Sequence, residues 1–221
     1  MVDESDERYS LRTRPEKVII IYGPFVRFNL SEELFLKQPS NIRIMAFHQV
    51  LQGLAALHVD GLMHRDIKPS NIGVVKQSVD TIEIVILDYG ETIRAEECLP
   101  SPGKVGTIPF LAPEMEQQPY GREVDLWAAG ILGIQLFVSR GELLWRNVVN
   151  AEAAWRKQVI VLQSAPTNSV ENLLGTMIAW DPAERTPAND ALKHPCFDET
   201  RSACAVETLE ESKVGSKRKH T

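Results

Sequence analysis

A short polar stretch, "HRDIKPSN" at residues 64–71, lies between two apolar segments that differ in periodicity. The segment before it carries apolar residues at three- and four-residue spacing, which predicts one long helix ending near Gly61. These apolar residues are Ile42, Met45, Ala46, Val50, Leu54 and Leu57. The segment after it contains "IGVV" (72–75) and "IEIVIL" (82–87) joined by the polar "KQSVD", which predicts a β-hairpin ending at Asp88. Turn composition alone would explain Asp, Pro, Ser and Asn at such a junction, so the rest of the chain must decide whether it is a solvated turn or an active site.

Composition limits the classes of function that the chain can have. Its 221 residues allow one domain with tails or two small domains, and a hydrophobic content of 43% is enough for one sizeable core. The net charge of −6 argues against non-specific binding to nucleic acid, which needs a basic field. The three cysteines, Cys98, Cys196 and Cys204, are odd in number and lack metal-like spacing, which favours a reducing compartment.

No segment of the sequence has the pattern of a signal peptide or a membrane span. The N-terminus "MVDESDERYS" is acidic and polar. The longest apolar run, Leu126–Val138, has 13 residues and is interrupted by Gln135, which predicts a buried core helix. We therefore expect a soluble cytoplasmic protein without membrane or nucleic-acid partners. The basic "KRK" at 217–219 is typical of a solvated tail, with nuclear import as the alternative.

The N-terminal region divides into a charged segment and a short apolar one. Residues 1–17 are mostly charged and aperiodic, and we expect them to be disordered or loosely attached. "KVIIIY" (17–22), closed by Gly23-Pro24, predicts one buried strand. A short helix capped by Asn29 or Ser31 then runs to about Gln38, before Pro39 ends it.

The region after the hairpin has an irregular part followed by a helical part. Residues 91–111 show no periodic pattern, and a loop of this length inside a domain is usually functional or disordered. Helical patterns then predict helices over 122–140, 148–163 and 168–179, followed by a short one with Thr186 as its cap and Pro187 in its first turn. The tail from about residue 199 is polar and ends in "SKRKHT".

Three oxygen-bearing side chains are expected to meet at the end of the hairpin. Asn71 stands at the entry to its first strand and Asp88 follows its second strand, so the hairpin brings the two to the same end. Carboxylate and amide oxygens suit Mg²⁺, which usually shares its ligands with substrate phosphates. Asp66, outside this ligand pair, is free to accept a proton from a hydroxyl group.

These motifs resemble those of eukaryotic protein kinases of the Ser/Thr type. The resemblance covers roughly residues 18–197, with order and spacing in agreement. The matching motifs are the catalytic loop "HRDIKPSN", the metal motif "DYG" (88–90), "APE" (112–114), "DLWAAG" (125–130) and Arg185 in "DPAERTP". The resemblance implies an α+β, protein-kinase-like fold, mainly the helical large lobe, with the β-hairpin at the catalytic cleft. The expected boundaries are a charged segment at 1–17, a kinase domain at 18–198 that lacks most of the small lobe, and a tail at 199–221.

The resemblance also assigns catalytic roles. Asp66 would be the catalytic base or orient the acceptor hydroxyl, with Asn71 and Asp88 as the Mg²⁺ ligands. Lys68 would steady the transferred phosphoryl group, and Thr107 would bond to both Asp66 and Lys68. Tyr22, Gly23 and Gly73 would line the nucleotide site. The implied cofactors are ATP and Mg²⁺, and the implied partner is a protein substrate with a Ser or Thr acceptor.

Structural and regulatory roles follow from the same resemblance. His64 is expected in core packing, and Arg65 is expected to receive a phosphorylated loop residue such as Ser101. Tyr89 and Gly90 belong to the metal motif. Asp125 is expected to bond to the catalytic-loop backbone, and Glu114 to pair with Arg185. Arg65 has no obvious acidic partner in its own motif. The alternatives are that Asp125 only caps its helix and that Glu114 and Arg185 are surface charges.

The sequence departs from the family pattern in ways that put nucleotide binding in question. No G-x-G-x-x-G loop, V-A-I-K lysine or partner helix glutamate precedes Asp66. Tyr89 replaces the usual Phe, and Gly73 stands where the family usually has Leu or a similar residue under the adenine ring. We expect an ATP- and Mg²⁺-dependent Ser/Thr protein kinase that is incompetent as this chain alone. The alternatives are a non-catalytic kinase-like scaffold or regulator, and a fragment of a complete kinase.

Overall fold

The computed structural model describes residues 26, 28–31, 33–97, 105–116, 119–138 and 149–200. The strands are β1 (Phe28–Asn29), β2 (Leu62–Met63), β3 (Ile72–Gln77), β4 (Ile82–Ile86) and β5 (Ile93–Arg94). The α-helices are α1 (Glu33–Leu36), α2 (Ser40–Val59), α3 (Glu123–Phe137), α4 (Ala151–Gln163), α5 (Val170–Met177) and α6 (Ala188–Ala191). Helices therefore dominate the described residues, and small antiparallel sheets accompany them, which is the expected α+β class.

The predicted β-hairpin is confirmed and forms the centre of one sheet. β3 pairs antiparallel with β4 from Ile72 opposite Ile86 to Gln77 opposite Ile82, and β1 lies on the other side of β3. The backbone N–H of Leu87 donates to the carbonyl of Asn71 at 2.8 Å. The residues just before β3 and just after β4 are therefore at the same end of the hairpin.

Helix α2 covers the outer edge of β4 with one side chain. The amide nitrogen of Gln49 donates to the carbonyl of Ile82 at 2.7 Å, and its amide oxygen accepts from the N–H of Ile84 at 3.0 Å. An unpaired strand edge exposes backbone groups that must find partners. Gln49 provides both partners here and so fixes α2 against the hairpin.

Replacing Gln49 with alanine is expected to lower the free energy of unfolding by about 1–3 kcal/mol, because two part-buried backbone groups lose their partners. Gln52→Ala is the matched control, since Gln52 lies exposed on the same helix. Urea denaturation of both variants measures the effect. Equal midpoints for the two variants would show that the Gln49 bridge does not stabilise the fold.

Helix α3 forms the centre of the core and confirms the prediction made from the apolar run. Nearly every residue from Val124 to Leu136 is buried. Trp127 is fully buried, stacks on Trp155 of α4 with ring centroids 4.7 Å apart, and meets Trp180 edge-on at 6.4 Å. A helix that is apolar on all sides is one that other elements surround, and α2 and α5 pack against it.

One strand of a second sheet, β5, lies within the region that was predicted to be irregular. β2 pairs antiparallel with β5, with Leu62 opposite Arg94 and Met63 opposite Ile93. Single 3₁₀ turns at 95–97 and 108–110 add further regular structure. The prediction of an irregular 91–111 segment is therefore wrong in these parts, because two-residue strands are too short to show an alternating pattern.

The helix predictions hold better in their interiors than at their ends. α2, α3, α4 and α5 lie where helices were predicted. The predicted cap Thr186 is wrong: α6 begins at Ala188 with Pro187 at the cap position, and no side chain caps it. Asn29 lies in β1, and α1 begins only at Glu33.

Several predictions fall on residues that the structure does not describe. These are the segment 1–17, the strand at 17–22, Cys98, Cys204 and the tail beyond residue 200. The expected domain boundaries therefore remain predictions. Within the described ranges, none of the helices combines the length and the apolar character that crossing a bilayer requires.

Candidate active site

Asp66, Lys68 and Thr107 form a closed ring of hydrogen bonds. The ammonium group of Lys68 lies 2.7 Å from Oδ2 of Asp66 and 2.9 Å from Oγ1 of Thr107. The hydroxyl of Thr107 donates to Oδ1 of Asp66 at 2.9 Å. The structure thus brings together a buried carboxylate, a cation and a hydroxyl from segments about forty residues apart.

A close backbone approach at Gly106 makes this ring possible. Gly106 has a φ of +110°, and a Cβ atom there would lie 2.6 Å from the carbonyl oxygen of Arg65. Only a residue without a side chain can adopt this φ and lie so close to the catalytic-loop backbone. Gly106 was not among the predicted site residues, although its place directly before Thr107 was a usable signal.

Asn71 is tied directly to Asp66. Its amide nitrogen donates to the backbone carbonyl of Asp66 at 2.9 Å and to Oδ2 of Asp66 at 3.0 Å. The amide oxygen is therefore the atom of Asn71 that is left for a further ligand. Because its amide nitrogen is held in this way, the orientation of buried Asn71 depends on Asp66.

Asp88 lies exposed at the same end of the hairpin as Asn71. Its backbone has a φ of +60°, and its Oδ1 accepts a 3.4 Å hydrogen bond from the N–H of Gly90. Within the described residues, no group of three or more His, Cys, Asp or Glu side chains could hold a metal ion. An oxygen pair from Asn71 and Asp88 fits Mg²⁺, which takes one or two protein ligands and fills its shell with phosphates and water.

Asp125 holds the backbone of the catalytic loop. Its carboxylate accepts from the N–H groups of His64 and Arg65, each at 2.8 Å, and lies 3.0 Å from Nε2 of His58. These contacts are the expected bond between Asp125 and the catalytic loop. Asp125 itself is fully buried and lies within α3. His58 was not among the predicted site residues, because its position at the end of α2 gave no signal for this contact.

His64 connects the catalytic loop to the segment that carries Asp88. Its Nδ1 accepts from the N–H of Asp66 at 3.3 Å, which assigns the ring proton to Nε2, 3.1 Å from the carbonyl of Leu87. The ring meets that of Tyr89 edge-on, with centroids 5.2 Å apart. Burial raises the pKa of the Tyr89 hydroxyl, so this group stays protonated at neutral pH.

Arg65 differs from expectation because it already has partners within the chain. Its Nε donates to the backbone carbonyl of Glu91 at 2.6 Å, and one terminal nitrogen donates to the hydroxyl of Tyr120 at 3.3 Å. The other terminal nitrogen lies 3.8 Å from the Glu91 carboxylate. This acidic neighbour lies outside the motif of Arg65, in the segment that follows Asp88. Ser101, its expected partner after phosphorylation, lies outside the described residues.

Glu114 and Arg185 form the expected ion pair, and it is not on the surface. The two terminal nitrogens of Arg185 donate to the two carboxylate oxygens of Glu114 at 2.5 and 2.8 Å. The side chain of Arg185 is fully buried, and its guanidinium lies 4.9 Å from the centre of the Trp127 ring. The alternative of two surface charges is wrong. Further bonds run from Arg185 to the carbonyls of Glu123, Ala179 and Trp180.

Of the expected nucleotide residues, only Gly73 falls within the described part of the chain. A Cβ atom on Gly73 would lie 2.6 and 2.7 Å from the two Cγ atoms of Val26, and 3.0 Å from a methyl group of Leu87. Val26 therefore fills the space that a side chain at position 73 would take, a contact that the sequence analysis missed. Tyr22 and Gly23 lie outside the described residues.

Comparison with known proteins identifies a family for most of the chain. The model of the protein kinase domain matches residues 25–197. The serine/threonine-protein kinase H1 homolog of Danio rerio is 30% identical over 171 residues, which cover 74% of this chain and 40% of the relative. The liver/testis isoform of the phosphorylase b kinase gamma catalytic chain of Rattus norvegicus is 29% identical over 196 residues, which cover 79% of this chain and 44% of the relative.

The relatives are longer than this chain. Calcium-dependent protein kinase 29 of Arabidopsis thaliana is 29% identical over 171 residues, which cover 75% of this chain and 31% of the relative. The chain thus spans less than half the length of the curated relatives that it matches.

Proposed function

This chain belongs to the protein kinase family, and from this premise we propose that its catalytic loop is that of a Ser/Thr protein kinase, which transfers the γ-phosphoryl group of ATP to serine or threonine hydroxyls of proteins, and that residues 1–221 alone are not competent for this reaction. Asp66 orients the acceptor hydroxyl and receives its proton. Lys68 stabilises the negative charge that develops on the phosphoryl group. Asn71 and Asp88 are the ligands of Mg²⁺.

The observation that carries this proposal is the ring of Asp66, Lys68 and Thr107. The Thr107 hydroxyl donates to Oδ1 of Asp66, which is the type of bond that an acceptor hydroxyl needs before it gives up its proton. Lys68 lies within 3 Å of both partners. A cation held beside the reacting oxygen stabilises charge in the transition state without reorganising at the moment of reaction.

The metal site is supported by the contacts of Asn71. Its amide nitrogen is fixed by Asp66, so the amide oxygen has one orientation, and Asp88 lies at the same end of the hairpin. When bound, Mg²⁺ would neutralise charge on the phosphates. The hydrogen bonds between Asp66 and Asn71 couple the proton acceptor to the metal ligand.

Residues 1–221 tested alone are expected to bind Mg²⁺·ATP weakly, with a Kd at or above roughly 1 mM, the upper end of the usual KM range. The sequence before Asp66 contains no G-x-G-x-x-G loop or V-A-I-K lysine to clamp the phosphates. NMR titration of the ¹⁵N-labelled chain detects binding in this range. Shifts are expected at the amides of 71–73 and 88–90, and Asp88→Asn should remove their dependence on Mg²⁺.

Asp80→Asn is the matched control, because Asp80 is an exposed carboxylate at the far end of the same hairpin. This variant should titrate as the unmodified chain does. Micromolar binding that is unaffected by Asp88→Asn would contradict both the weak affinity and the metal role.

A non-catalytic scaffold is the second candidate, and the contact between Val26 and Gly73 favours it. Val26 fills the space beside Gly73, where kinases of this family usually present a larger side chain to the adenine. In this alternative the chain binds a protein partner and no nucleotide. A complete absence of Mg²⁺·ATP-dependent shifts in the titration would support it over phosphoryl transfer.

A further inference from the structure

Helices α2 and α6 leave an open groove between them, with a volume of about 440 Å³. Its apolar lining comes from Ala55, Ala56 and Val59 of α2 and from Leu192 at the end of α6. Val59 is 72% exposed, and Ala56 is exposed as well. A single apolar side chain on a surface is common, but residues three and four apart on a helix lie side by side. The groove is therefore a continuous apolar surface that a further segment can cover.

We propose that this groove binds residues 201–221 of the same chain, which lie outside the described residues. The described part of the chain ends beside α2, because Phe197 is fully buried and its ring lies 4.8 Å from that of His48. Thr200, three residues later, is also buried. The tail therefore starts on the same helix that forms one side of the groove.

The tail is long enough to reach the groove. His48 and Ala56 are about 12 Å apart along α2, at 1.5 Å per residue. Residues 201–206 span up to roughly 20 Å when extended, so that position 206 can reach the groove. A segment tethered this closely has an effective concentration on the order of millimolar. Even a weak affinity for the groove would therefore keep the tail bound.

The tail also carries apolar residues that suit the groove. Although the tail is polar as a whole, Ala203, Val206 and Leu209 follow one another at three-residue spacing. Side chains at this spacing lie on one face of a helix, and an apolar helix face in a groove is a recurring mode of recognition. Contact between this face and the groove would remove apolar surface of both from water.

The order of charges gives the tail a direction. The exposed Asp60 lies at the end of the groove, directly after Val59. In the tail, the basic "KRK" (217–219) likewise follows the apolar residues. A tail that starts near His48 and runs along α2 toward Asp60 brings opposite charges together. Charges at the rim of an interface contribute little affinity but favour one orientation over the other.

Photo-cross-linking of the full chain tests this proposal. An aliphatic diazirine side chain replaces Leu209, and mass spectrometry of the irradiated protein locates its cross-links. We expect them at residues 52–60 and 188–192. In a mixture of ¹⁴N- and ¹⁵N-labelled protein, they should join segments of one chain.

Two outcomes of this experiment would overturn the proposal. Cross-links mainly between differently labelled chains would show that a second copy of the protein occupies the groove. Cross-links to other parts of the chain, or to solvent alone, would show that the tail does not bind there.

Val206→Asp in the same protein should lower the yield of these cross-links about tenfold, because it places an unpaired carboxylate against an apolar surface. Thr208→Asp is the matched control, since it adds the same charge on the opposite side of the helical face. Its yield should stay within about twofold of the unmodified tail. A fall of less than threefold in Val206→Asp would contradict the proposal.

The groove is tested by Ala56→Glu, which introduces a charge from the other side of the contact. Ala56 is exposed, so the change should leave the fold intact while lowering the cross-link yield as Val206→Asp does. Ala153→Glu makes the same change at an exposed alanine of α4 and should have no effect. Equal yields in these two variants would show that the tail does not contact Ala56.

This inference is independent of the proposed function. No measurement in it uses ATP or a protein substrate, so a lack of phosphoryl transfer would count against the proposed function and leave the binding of the tail standing.

Discussion

Arg185→Ala is expected to lower the free energy of unfolding by about 3–5 kcal/mol, a large share of the ~5–15 kcal/mol that stabilises a typical domain. The change strands the carboxylate of Glu114, which is only 15% exposed, without its partner. It also leaves the carbonyls of Ala179 and Glu123 without the donors that Arg185 provides. Urea denaturation followed by circular dichroism measures the loss.

Arg156→Ala is the control for this prediction. Arg156 bonds to Glu152 one turn earlier on an exposed face of α4, and exposed pairs of this kind contribute little. Its denaturation midpoint should match that of the unmodified chain. Arg185→Lys should recover only part of the loss, because lysine cannot bond to both carboxylate oxygens as a planar guanidinium does. An unchanged midpoint for Arg185→Ala would show that the pair does not stabilise the fold.

Elements with a sustained pattern could be predicted from the sequence. α2 has apolar residues at helical spacing, α3 lies in one long apolar run, and the β3–β4 hairpin joins two β-rich runs by a polar turn. In each case many residues repeat the same signal, so the core that they form follows from local pattern. The ends were less predictable, since Thr186 and Asn29 have good capping chemistry but the structure does not use either as a cap.

The site was predictable where its chemistry is local or belongs to a motif. Asp66, Lys68 and Asn71 share one loop, and the hairpin places Asp88 at the same end as Asn71. Thr107 came only from the resemblance, because nothing in the spacing of the chain links it to Asp66.

Single long-range contacts could not be predicted. Gln49 bonds to a strand edge, Val26 packs on Gly73, and Arg65 bonds to a backbone carbonyl at position 91. None of these side chains repeats a pattern, and each contact depends on backbone angles and packing that exist only in the folded chain. The positive φ of Arg65 is an example, since an arginine gives no indication of a left-handed backbone.

The second large effect concerns catalysis by residues 1–221 alone. Phosphoryl transfer depends almost wholly on positioning and charge stabilisation. In the proposed site, Asp66, Lys68, Asn71 and Asp88 would form one wall around the phosphates. The glycine loop and lysine that would form the other wall are not in the sequence before Asp66. Losing one preorganised donor typically costs about 10²–10³ in rate. Since several are missing together, we expect activity near background.

The direct test is a phosphoryl-transfer assay of purified residues 1–221 with ATP, Mg²⁺ and a generic Ser/Thr substrate, beside the Asp66→Asn variant. We expect both proteins to transfer phosphate at the same rate, close to that of the assay without protein. Turnover on the order of 1 s⁻¹, within the usual range of kinases, that disappears in Asp66→Asn would contradict this account. It would show that another residue of this chain supplies the missing phosphate contacts.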